Sequence, residues 1–204
     1  ILYHWRCHED STAENPESKT YAFEAGKRAI EEHYKRTGIH AEVLQGEFLG
    51  LYRTRFIRDH DPLISIIIPN KDHIDDLKRC MDSIDKKSTY QNYEYIIVEN
   101  NSTQEETFQF YKKLEAENPK VHVVYWDREF NYSAINNYGA GFAKGEYILL
   151  LNNDTEIINE DCLEQLLGYC MRSDVGAVGA RIYYEDDTIQ HAGVVIGFGG
   201  IAGH

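Results

Sequence analysis

Short apolar runs alternate with amphipathic segments along the chain from Pro62 onward. The runs, of which residues 147–151 are typical, are far shorter than the roughly 20 residues needed to cross a membrane. We interpret them as strands packed on both faces, and the segments between them as helices, because their apolar residues recur three and four positions apart. The predicted strands are 63–68, 93–99, 120–126 and 146–151, with two more near 175–183 and 192–197, and the predicted helices are 73–87, 103–117, 132–144 and 160–172.

Strands that alternate with helices favour right-handed crossovers and parallel pairing. The sequence therefore predicts an α/β fold with a mainly parallel sheet flanked by helices. For the helix at 103–117, Ser102 or Thr103 is the expected N-terminal cap, with Glu105 or Glu106 favouring the first turn.

The segment before Pro62 has a different pattern. Residues 1–20 are interpreted as a strand followed by a polar loop, and 41–57 as a short irregular or strand-like connection. Between them, small and apolar residues at helical spacing from Lys19 to about Thr37 predict one amphipathic helix that ends at Gly38. We accordingly divide the chain into residues 1–20, a helical linker at 21–61 and a domain at 62–204.

The composition excludes one class of partner. Acidic residues outnumber basic ones by 34 to 21, for a formal charge of −13. This charge repels a phosphate backbone, so we expect no nucleic acid to bind. The four cysteines show no CxxC spacing, and three of them fall in predicted helices, which favours buried free thiols in a reducing cytosol. No signal peptide is evident.

Polar side chains follow each of the four main predicted strands. They are Pro69-Asn70-Lys71-Asp72, Glu99-Asn100-Asn101-Ser102, Asp127-Arg128 with Asn131, and Asn152-Asn153-Asp154. In open parallel sheets, ligands bind outside the carboxyl ends of the strands. Asn and Asp also favour turns, so residues 152–154 alone leave both interpretations open, but four such strand ends together favour a binding site.

No glycine-rich dinucleotide loop or Walker A loop follows any of these strands, so a phosphate loop is not the expected binding element. A divalent hard cation could carry the charge of a bound phosphate instead, because it takes carboxylate and phosphate oxygens together. A zinc site built from His4, Cys7 and His8 is disfavoured, since three ligands on one short segment lack a distant partner pair.

Four stretches in order carry a family resemblance. They are "PLISIIIPNKD", "YEYIIVENNS", "FNYSAINNYGAGFAKGEYILLLNNDTEI" and "GAVGARIYYEDDTIQHAG". They resemble the GT-A nucleotide-sugar transferases of glycosyltransferase family 2, most nearly the bacterial rhamnosyltransferase-like members, from about Pro62 to His204. The resemblance implies a Rossmann-like GT-A sheet, here expected to stop before the acceptor half. It also implies inverting transfer of a sugar from a UDP- or dTDP-sugar to a glycan or lipid-linked acceptor.

The resemblance also implies roles for individual residues on the nucleotide side. Pro69, Asn70 and Asp72 belong to the loop that would lie against the nucleobase and ribose. Glu99 stands where the family usually has an Asp that accepts the N3–H of uracil or thymine, and the longer side chain can make the same bond. Asn137, within "SAINNYGA", matches a polar position beside the nucleotide.

Asn152, Asn153 and Asp154 match the DxD motif of the family. By this match, Asp154 would ligate Mg²⁺ or Mn²⁺ bridging the donor diphosphate, and Asn152, in place of the first Asp, would contact the ribose. With one carboxylate instead of two, we expect weak metal binding without nucleotide.

An inverting transfer also needs a general base for the acceptor hydroxyl. In the family this base is an Asp in an acidic motif beyond the point where this sequence stops, and we interpret "YEDD" (184–187) as a solvated turn. We therefore expect the chain to be a fragment that carries the donor site without turnover. Arg6, His8 and Ser11 resemble the closing segment of such a catalytic domain, which suggests a tandem parent.

Two alternatives stay open on the residues alone. One is a non-catalytic, degenerate GT-A module that binds carbohydrate or nucleotide. The other is a nucleotidyltransferase, although the loop after the first strand has one Lys and no Gly. For the favoured hypothesis, the expected setting is bacterial surface polysaccharide synthesis in the cytoplasm, with room for a peripheral contact of the full-length protein with the inner membrane.

Overall fold

The computed structural model describes residues 3–4 and 20–203. Two compact units make up the chain, Ile1–Asp59 and His60–His204. Arg6, Cys7, His8 and Ser11, on which the predictions for residues 1–20 rest, lie outside the described residues. The division of the chain at residues 20 and 61 stays a prediction.

The first unit contains helix α1 (Thr20–Thr37) and an antiparallel hairpin of strands β1 (Ala41–Gln45) and β2 (Tyr52–Phe56). The helix ends where predicted, because Gly38 adopts a φ of 71° that an L side chain rarely takes. The Tyr52 hydroxyl donates to the backbone oxygen of Phe23 at 2.6 Å, which ties the hairpin to the helix. The connection predicted at 41–57 is thus a hairpin.

The second unit begins with the predicted alternation. Its elements are β3 (Ile64–Asn70), α2 (Ile74–Lys87), β4 (Tyr93–Glu99), α3 (Glu105–Glu117), β5 (Val121–Tyr125), α4 (Tyr132–Ala140), β6 (Tyr147–Leu150) and α5 (Cys162–Cys170). The four strands form one sheet in the order β5-β4-β3-β6, and every neighbouring pair is parallel. The predicted parallel α/β sheet is confirmed.

Alternate side chains of the central strands point to opposite faces of the sheet. One face holds the larger apolar cluster, in which Ile66 and Ile68 of β3 lie in the same core as side chains of α2, α3 and α5. The other face holds a smaller cluster in which Ile67 of β3 packs with Ile135 of α4. Helices therefore cover both faces of β3 and β4.

Strand β6 departs from the prediction that it packs on both faces. Among the described strands it pairs only with β3, at the edge of the sheet. Tyr147 and Leu149 pack against the larger cluster, whereas Ile148 and Leu150 are 48% and 47% exposed. An apolar run identifies a strand but does not tell whether both of its faces are covered.

Helix α4 ends at Ala140 rather than at the predicted residue 144. The backbone N–H groups of Lys144 and Gly145 donate to Glu94 Oε1 and Ser65 Oγ, both at 2.8 Å. These side chains of β4 and β3 fix the loop that leads into β6. The helix stops because the chain must turn there to enter the sheet.

The predicted strands near 175–183 and 192–197 are mostly wrong. The structure has two short antiparallel pairs, β7 (Ile182–Tyr183) with β8 (Ile189–His191), and β9 (Val195–Ile196) with β10 (Ala202–Gly203). A 3₁₀ turn at Phe198–Gly200 joins the second pair. Gly176 and Gly179 weaken strand formation in the first stretch because they offer no side chain to pack. Residues 184–187 form the turn between β7 and β8, as predicted.

Candidate functional site

The carboxyl ends of β3, β4 and β6 meet at one edge of the sheet. The chain runs from β3 to β4 and β5 on one side, and then returns to β6 on the other side of β3. This reversal makes the end of β3 a topological switch point, which is where open α/β sheets bind ligands. Asn70 and Glu99 are register partners at the ends of β3 and β4, so the first two predicted strand ends lie side by side.

Asn70 is the centre of the site. Its side chain is 3% exposed, and all of its polar atoms have partners. The amide nitrogen donates to the backbone oxygen of Asp72 and to the hydroxyl of Tyr111, both at 2.7 Å. The amide oxygen accepts from the side-chain nitrogen of Asn153, also at 2.7 Å. The predicted convergence of the ends of β3 and β6 therefore occurs through direct contact of these two amides.

Glu99 is buried, and its carboxylate accepts three hydrogen bonds from the protein. Oε1 accepts from the backbone nitrogen of Ser102 at 2.5 Å, and Oε2 accepts from the hydroxyls of Ser102 and Tyr111 at 2.6 and 2.8 Å. Burial is the largest influence and raises the pKa of Tyr111; the hydrogen bond from Asn70 lowers it, the charge and hydrogen bond of Glu99 raise it, and the net shift is upward. The Tyr111 hydroxyl thus stays protonated and donates to Glu99.

Asp72 is half-buried and adopts a left-handed φ of 51°. Its backbone nitrogen donates to the hydroxyl of Ser102 at 2.7 Å. Its Oδ1 accepts from the backbone nitrogens of Thr103 and Gln104, at 3.0 and 3.1 Å. Asp72 therefore caps helix α3 from the loop after β3.

This corrects the capping expected at Ser102 or Thr103. The N-cap residue of α3 is Gln104, whose side chain makes no capping hydrogen bond, and the Ser102 hydroxyl is used by Glu99. Desolvation raises the pKa of Asp72, but the hydrogen bonds from Gln104 and Thr103 outweigh it and hold the pKa below its ordinary value of 3.8.

The Asn152-Asn153-Asp154 segment forms a turn directly after β6. The backbone oxygen of Asn152 accepts from the hydroxyl of Thr155 at 2.7 Å, and its side chain is exposed. Asp154 is exposed too. In the described part of the chain its carboxylate has no hydrogen-bond or ion-pair partner.

A lone carboxylate at this position fits Mg²⁺ or Mn²⁺ held jointly with a ligand. Such ions are often bound by one or two carboxylates together with substrate phosphates. Within residues 3–4 and 20–203, no group of three His, Cys, Asp or Glu side chains is arranged to hold a metal by itself. Asp154 is the residue whose carboxylate could hold such an ion together with a ligand.

The remaining predicted residues lie in different settings. Pro69 is half-buried in β3, opposite Val98. Asn137 is exposed on α4, whereas its neighbour Asn136 is 3% exposed. The Asn136 amide nitrogen donates to Tyr132 O at 2.8 Å, and its Oδ1 has no partner among the described residues.

The residues after β5 cap helix α4 and hold neighbouring loops, rather than joining the cluster around Asn70. Asn131 accepts from the backbone nitrogen of Ala134 at 2.9 Å and so caps α4. The backbone oxygen of Arg128 accepts from the amides of Asn100 and Asn101, at 3.1 and 2.8 Å. These bonds fix the loops after β4 and β5 against each other.

Sequence reasoning missed Tyr111 and Thr107 of α3. They lie four positions apart on the buried side of the helix. Helical spacing could have identified them as buried, but not as hydrogen-bond partners of Glu99 and Asp72.

Comparison with known proteins agrees with this fold. The sequence profile of the family described as "Glycosyl transferase family 2" matches residues 65–194. The chain therefore belongs to glycosyl transferase family 2, and the resemblance inferred from the sequence is confirmed.

Two curated relatives align with the whole chain. One is the "Uncharacterized protein y4gI" of Sinorhizobium fredii (strain NBRC 101917 / NGR234), 42% identical over 205 residues. The other is the "O-antigen biosynthesis protein RfbC" of Myxococcus xanthus, 40% identical over 203 residues. The chain spans only 23% and 16% of the lengths of these relatives.

Among solved structures, the mannosyltransferase PcManGT of Pyrobaculum calidifontis, in complex with GDP-Man and Mn²⁺, has a TM-score of 0.55 at 17% sequence identity. The similarity covers 83% of this chain and 47% of that one, and it shows the shared GT-A fold. In the described part of the chain, every helix is too short or too polar to cross a bilayer.

Proposed function

We propose that this chain carries the donor site of a glycosyltransferase that uses a UDP- or dTDP-sugar with Mg²⁺ or Mn²⁺. The observation that carries the proposal is the contact between Asn70 and Asn153 at the switch point of the sheet. Asp154, whose carboxylate is exposed, directly follows Asn153, and this supports its assignment to the donor site. Membership of the family supplies the reaction class.

Asp154 would hold the metal on the donor diphosphate. A divalent ion there stabilises the negative charge that develops on the departing nucleotide, without a proton transfer. The neighbouring Asn152 is exposed and would contact the ribose.

The nucleobase and ribose would lie against the loop after β3, which includes Pro69, Asn70 and Asp72. Asn137 is exposed on α4, and its amide would lie beside the nucleotide. Oε1 of Glu99 accepts one hydrogen bond from the protein, so it keeps one lone pair for the N3–H of uracil or thymine. Glu99 is only 2% exposed, so the surrounding side chains would have to move for a base to reach it.

We further propose that the transfer is inverting, to a glycan or lipid-linked acceptor in cell-surface polysaccharide synthesis. The relative named as an O-antigen biosynthesis protein supports this setting. The exposed carboxylates at 184–187 lie on a hairpin turn, and we do not propose them as the base. We expect the protein to act in the cytoplasm, with any membrane contact peripheral. We expect the chain alone to bind the donor and to show no sustained turnover.

A degenerate, non-catalytic module is the second candidate. The observation that favours it is the use of both Glu99 oxygens by Ser102 and Tyr111, which leaves little acceptor capacity for a base. Such a module would bind carbohydrate without metal-dependent nucleotide binding.

The two candidates are separated by titration calorimetry of the 204-residue chain with UDP, dTDP and GDP, each with Mn²⁺ and with a chelator. GDP is included because PcManGT was solved with GDP-Man. A donor site predicts that Mn²⁺ strengthens binding of UDP or dTDP by at least about tenfold, or 1.4 kcal/mol. No effect of Mn²⁺ on any nucleotide would overturn the proposed function.

The role of Asp154 is tested by Asp154→Asn, which should lose the effect of Mn²⁺. Glu156→Gln is the matched control, because it also removes one negative charge and lies two positions from Asp154. The Glu156 carboxylate pairs with Arg79 at 3.0 Å. Retention of the Mn²⁺ effect in Asp154→Asn, or its loss in both variants, would contradict the assignment of Asp154.

A further inference from the structure

Four polar side chains form a continuous chain of hydrogen bonds across the candidate site. Asn153 donates to Asn70 at 2.7 Å, Asn70 donates to Tyr111 at 2.7 Å, and Tyr111 donates to Glu99 at 2.8 Å. We call this chain the amide–tyrosine relay. It connects the turn after β6, the end of β3, helix α3 and the end of β4, so it spans the site from the Asp154 side to the Glu99 side.

The direction of every bond in the relay is set at its Glu99 end. The Glu99 carboxylate already accepts two hydrogen bonds from Ser102, and as an acceptor it requires Tyr111 to donate. The Tyr111 oxygen can then only accept from Asn70, which must present its nitrogen. Asn70 consequently presents its oxygen to Asn153, whose nitrogen must face it.

This matters because an Asn side chain can otherwise take either of two amide orientations. Tyr111 and Asn70 are 0% and 3% exposed, so water does not compete for these bonds. In such a dry environment, aligned hydrogen bonds reinforce one another, and a broken one is costly. The orientation of Asn153 is therefore decided by a tyrosine that it does not touch.

We propose that Tyr111 is a positioning residue for the donor site. Its hydroxyl, acting through Asn70, fixes the side chain of Asn153 and with it the turn that presents Asp154. The importance of that turn for donor binding rests on the proposed function. The fixing of Asn153 by Tyr111 does not depend on the proposed function.

The test compares Tyr111→Phe with Tyr95→Phe in the 204-residue chain. Both tyrosines are 0% exposed, lie in the same apolar cluster and donate a hydroxyl to a carboxylate. The partner of Tyr95 is Asp85 of α2, at 2.8 Å, outside the relay. Each variant thus loses one buried hydroxyl from an otherwise unchanged ring, and only Tyr111→Phe interrupts the relay.

Two measurements are made on each variant. The first follows the side-chain amide signals of Asn70 and Asn153 by ¹H–¹⁵N NMR without ligand. The second is the gain in UDP affinity on adding Mn²⁺, measured by calorimetry. For Tyr111→Phe we expect the Asn153 side-chain signals to shift and their hydrogens to exchange faster. We also expect the gain in UDP affinity on adding Mn²⁺ to fall by about tenfold. For Tyr95→Phe we expect the Asn153 signals and the gain in UDP affinity on adding Mn²⁺ to match those of the unmodified chain.

Unchanged Asn153 signals in Tyr111→Phe, or equal changes in the two variants, would overturn the proposal. Asn153→Asp gives a second test should Tyr111→Phe not fold, because a carboxylate at this half-buried position cannot donate to Asn70. In Asn153→Asp the Asn70 side-chain amide signals must therefore shift, and unchanged signals would also overturn the proposal. If the unmodified chain shows no Mn²⁺-dependent nucleotide binding, the proposed function fails, while the NMR signals still decide the relay.

Discussion

Asp72 caps a helix that begins more than 30 residues later: its Oδ1 lies 3.1 Å from the backbone nitrogen of Gln104, 32 positions along the chain. The first N–H groups of a helix have no partner within the helix and need an acceptor. For α3, the backbone N–H of its N-cap residue Gln104 finds that acceptor in the loop after β3, across the edge of the sheet. The loop proposed to contact the nucleotide is therefore held in place by the start of a helix.

We expect Asp72→Asn to remove a pH-dependent part of the stability. Because the pKa of Asp72 is lowered in the folded chain, the unfolded chain binds the proton more readily. The contribution of Asp72 to the stability of the folded chain is thus fully present above the ordinary Asp pKa of 3.8. It is lost as the pH falls through the lower pKa of the folded chain. Urea unfolding at pH 7, 5, 4 and 3 should show a difference between Asp72→Asn and the unmodified chain that shrinks in acid.

Asp127→Asn is the control for this experiment, since Asp127 is exposed and makes no hydrogen bond in the described ranges. It should leave the pH dependence unchanged. Equal stability of Asp72→Asn and the unmodified chain at pH 7 would contradict the capping role.

Gly139→Ala should destabilise the second unit. A Cβ at this position of α4 would lie 2.7 Å from Ile67 Cγ2 and 2.8 Å from Val98 Cγ2, and both side chains are fully buried in the central strands. Alanine favours a helix over glycine by about 1 kcal/mol, but overpacking a core costs about 1–3 kcal/mol. We expect a net loss of about 1 kcal/mol, and at most about 2 kcal/mol, in the free energy of unfolding, measured with urea.

Gly179→Ala is the matched control, because nothing lies within 4 Å of its added Cβ and its φ is not positive. Its effect should stay within about 0.5 kcal/mol. A Gly139→Ala chain as stable as this control would show that α4 moves away from the sheet without cost.

The thiol of Cys80 should be unreactive in the folded chain. Burial is the main cause that raises its pKa to about 11; the charges of Asp154 and Glu156 also raise it, and the hydrogen bonds with Thr155 lower it. At pH 8 only about one thiol in a thousand would be ionised, and the thiolate is the reactive form. After iodoacetamide treatment and peptide mass analysis, Cys80 should be unmodified in the native chain and modified in urea. Rapid native alkylation would show that this part of α2 opens to solvent.

The sequence was a sound guide where a local pattern decides the structure. Strand β3 and strand β4 consist almost wholly of buried residues, so their apolar runs predict them within two residues. Their parallel pairing follows from the helices between them. Because parallel strands end at a common edge, the meeting of Asn70, Glu99 and Asn153 could also be predicted.

The features that the sequence did not indicate depend on long-range contacts. The cap of α3 comes from Asp72, and a search for a cap among nearby residues pointed to Ser102 and Thr103. Tyr111 follows the helical period of a core residue, and its two polar partners belong to different strands. The exposed face of β6 depends on which elements cover it, which an apolar run does not encode.

The cap that Asp72 supplies has a practical consequence for engineering this chain. Replacing its β3 loop or its helix α3 alone with the segment of a relative would separate the Asp72 carboxylate from the backbone groups that it serves. A chimera should therefore carry residues 70–73 and 102–107 across as a pair, and transplants that split them should express poorly even when each piece comes from a working parent.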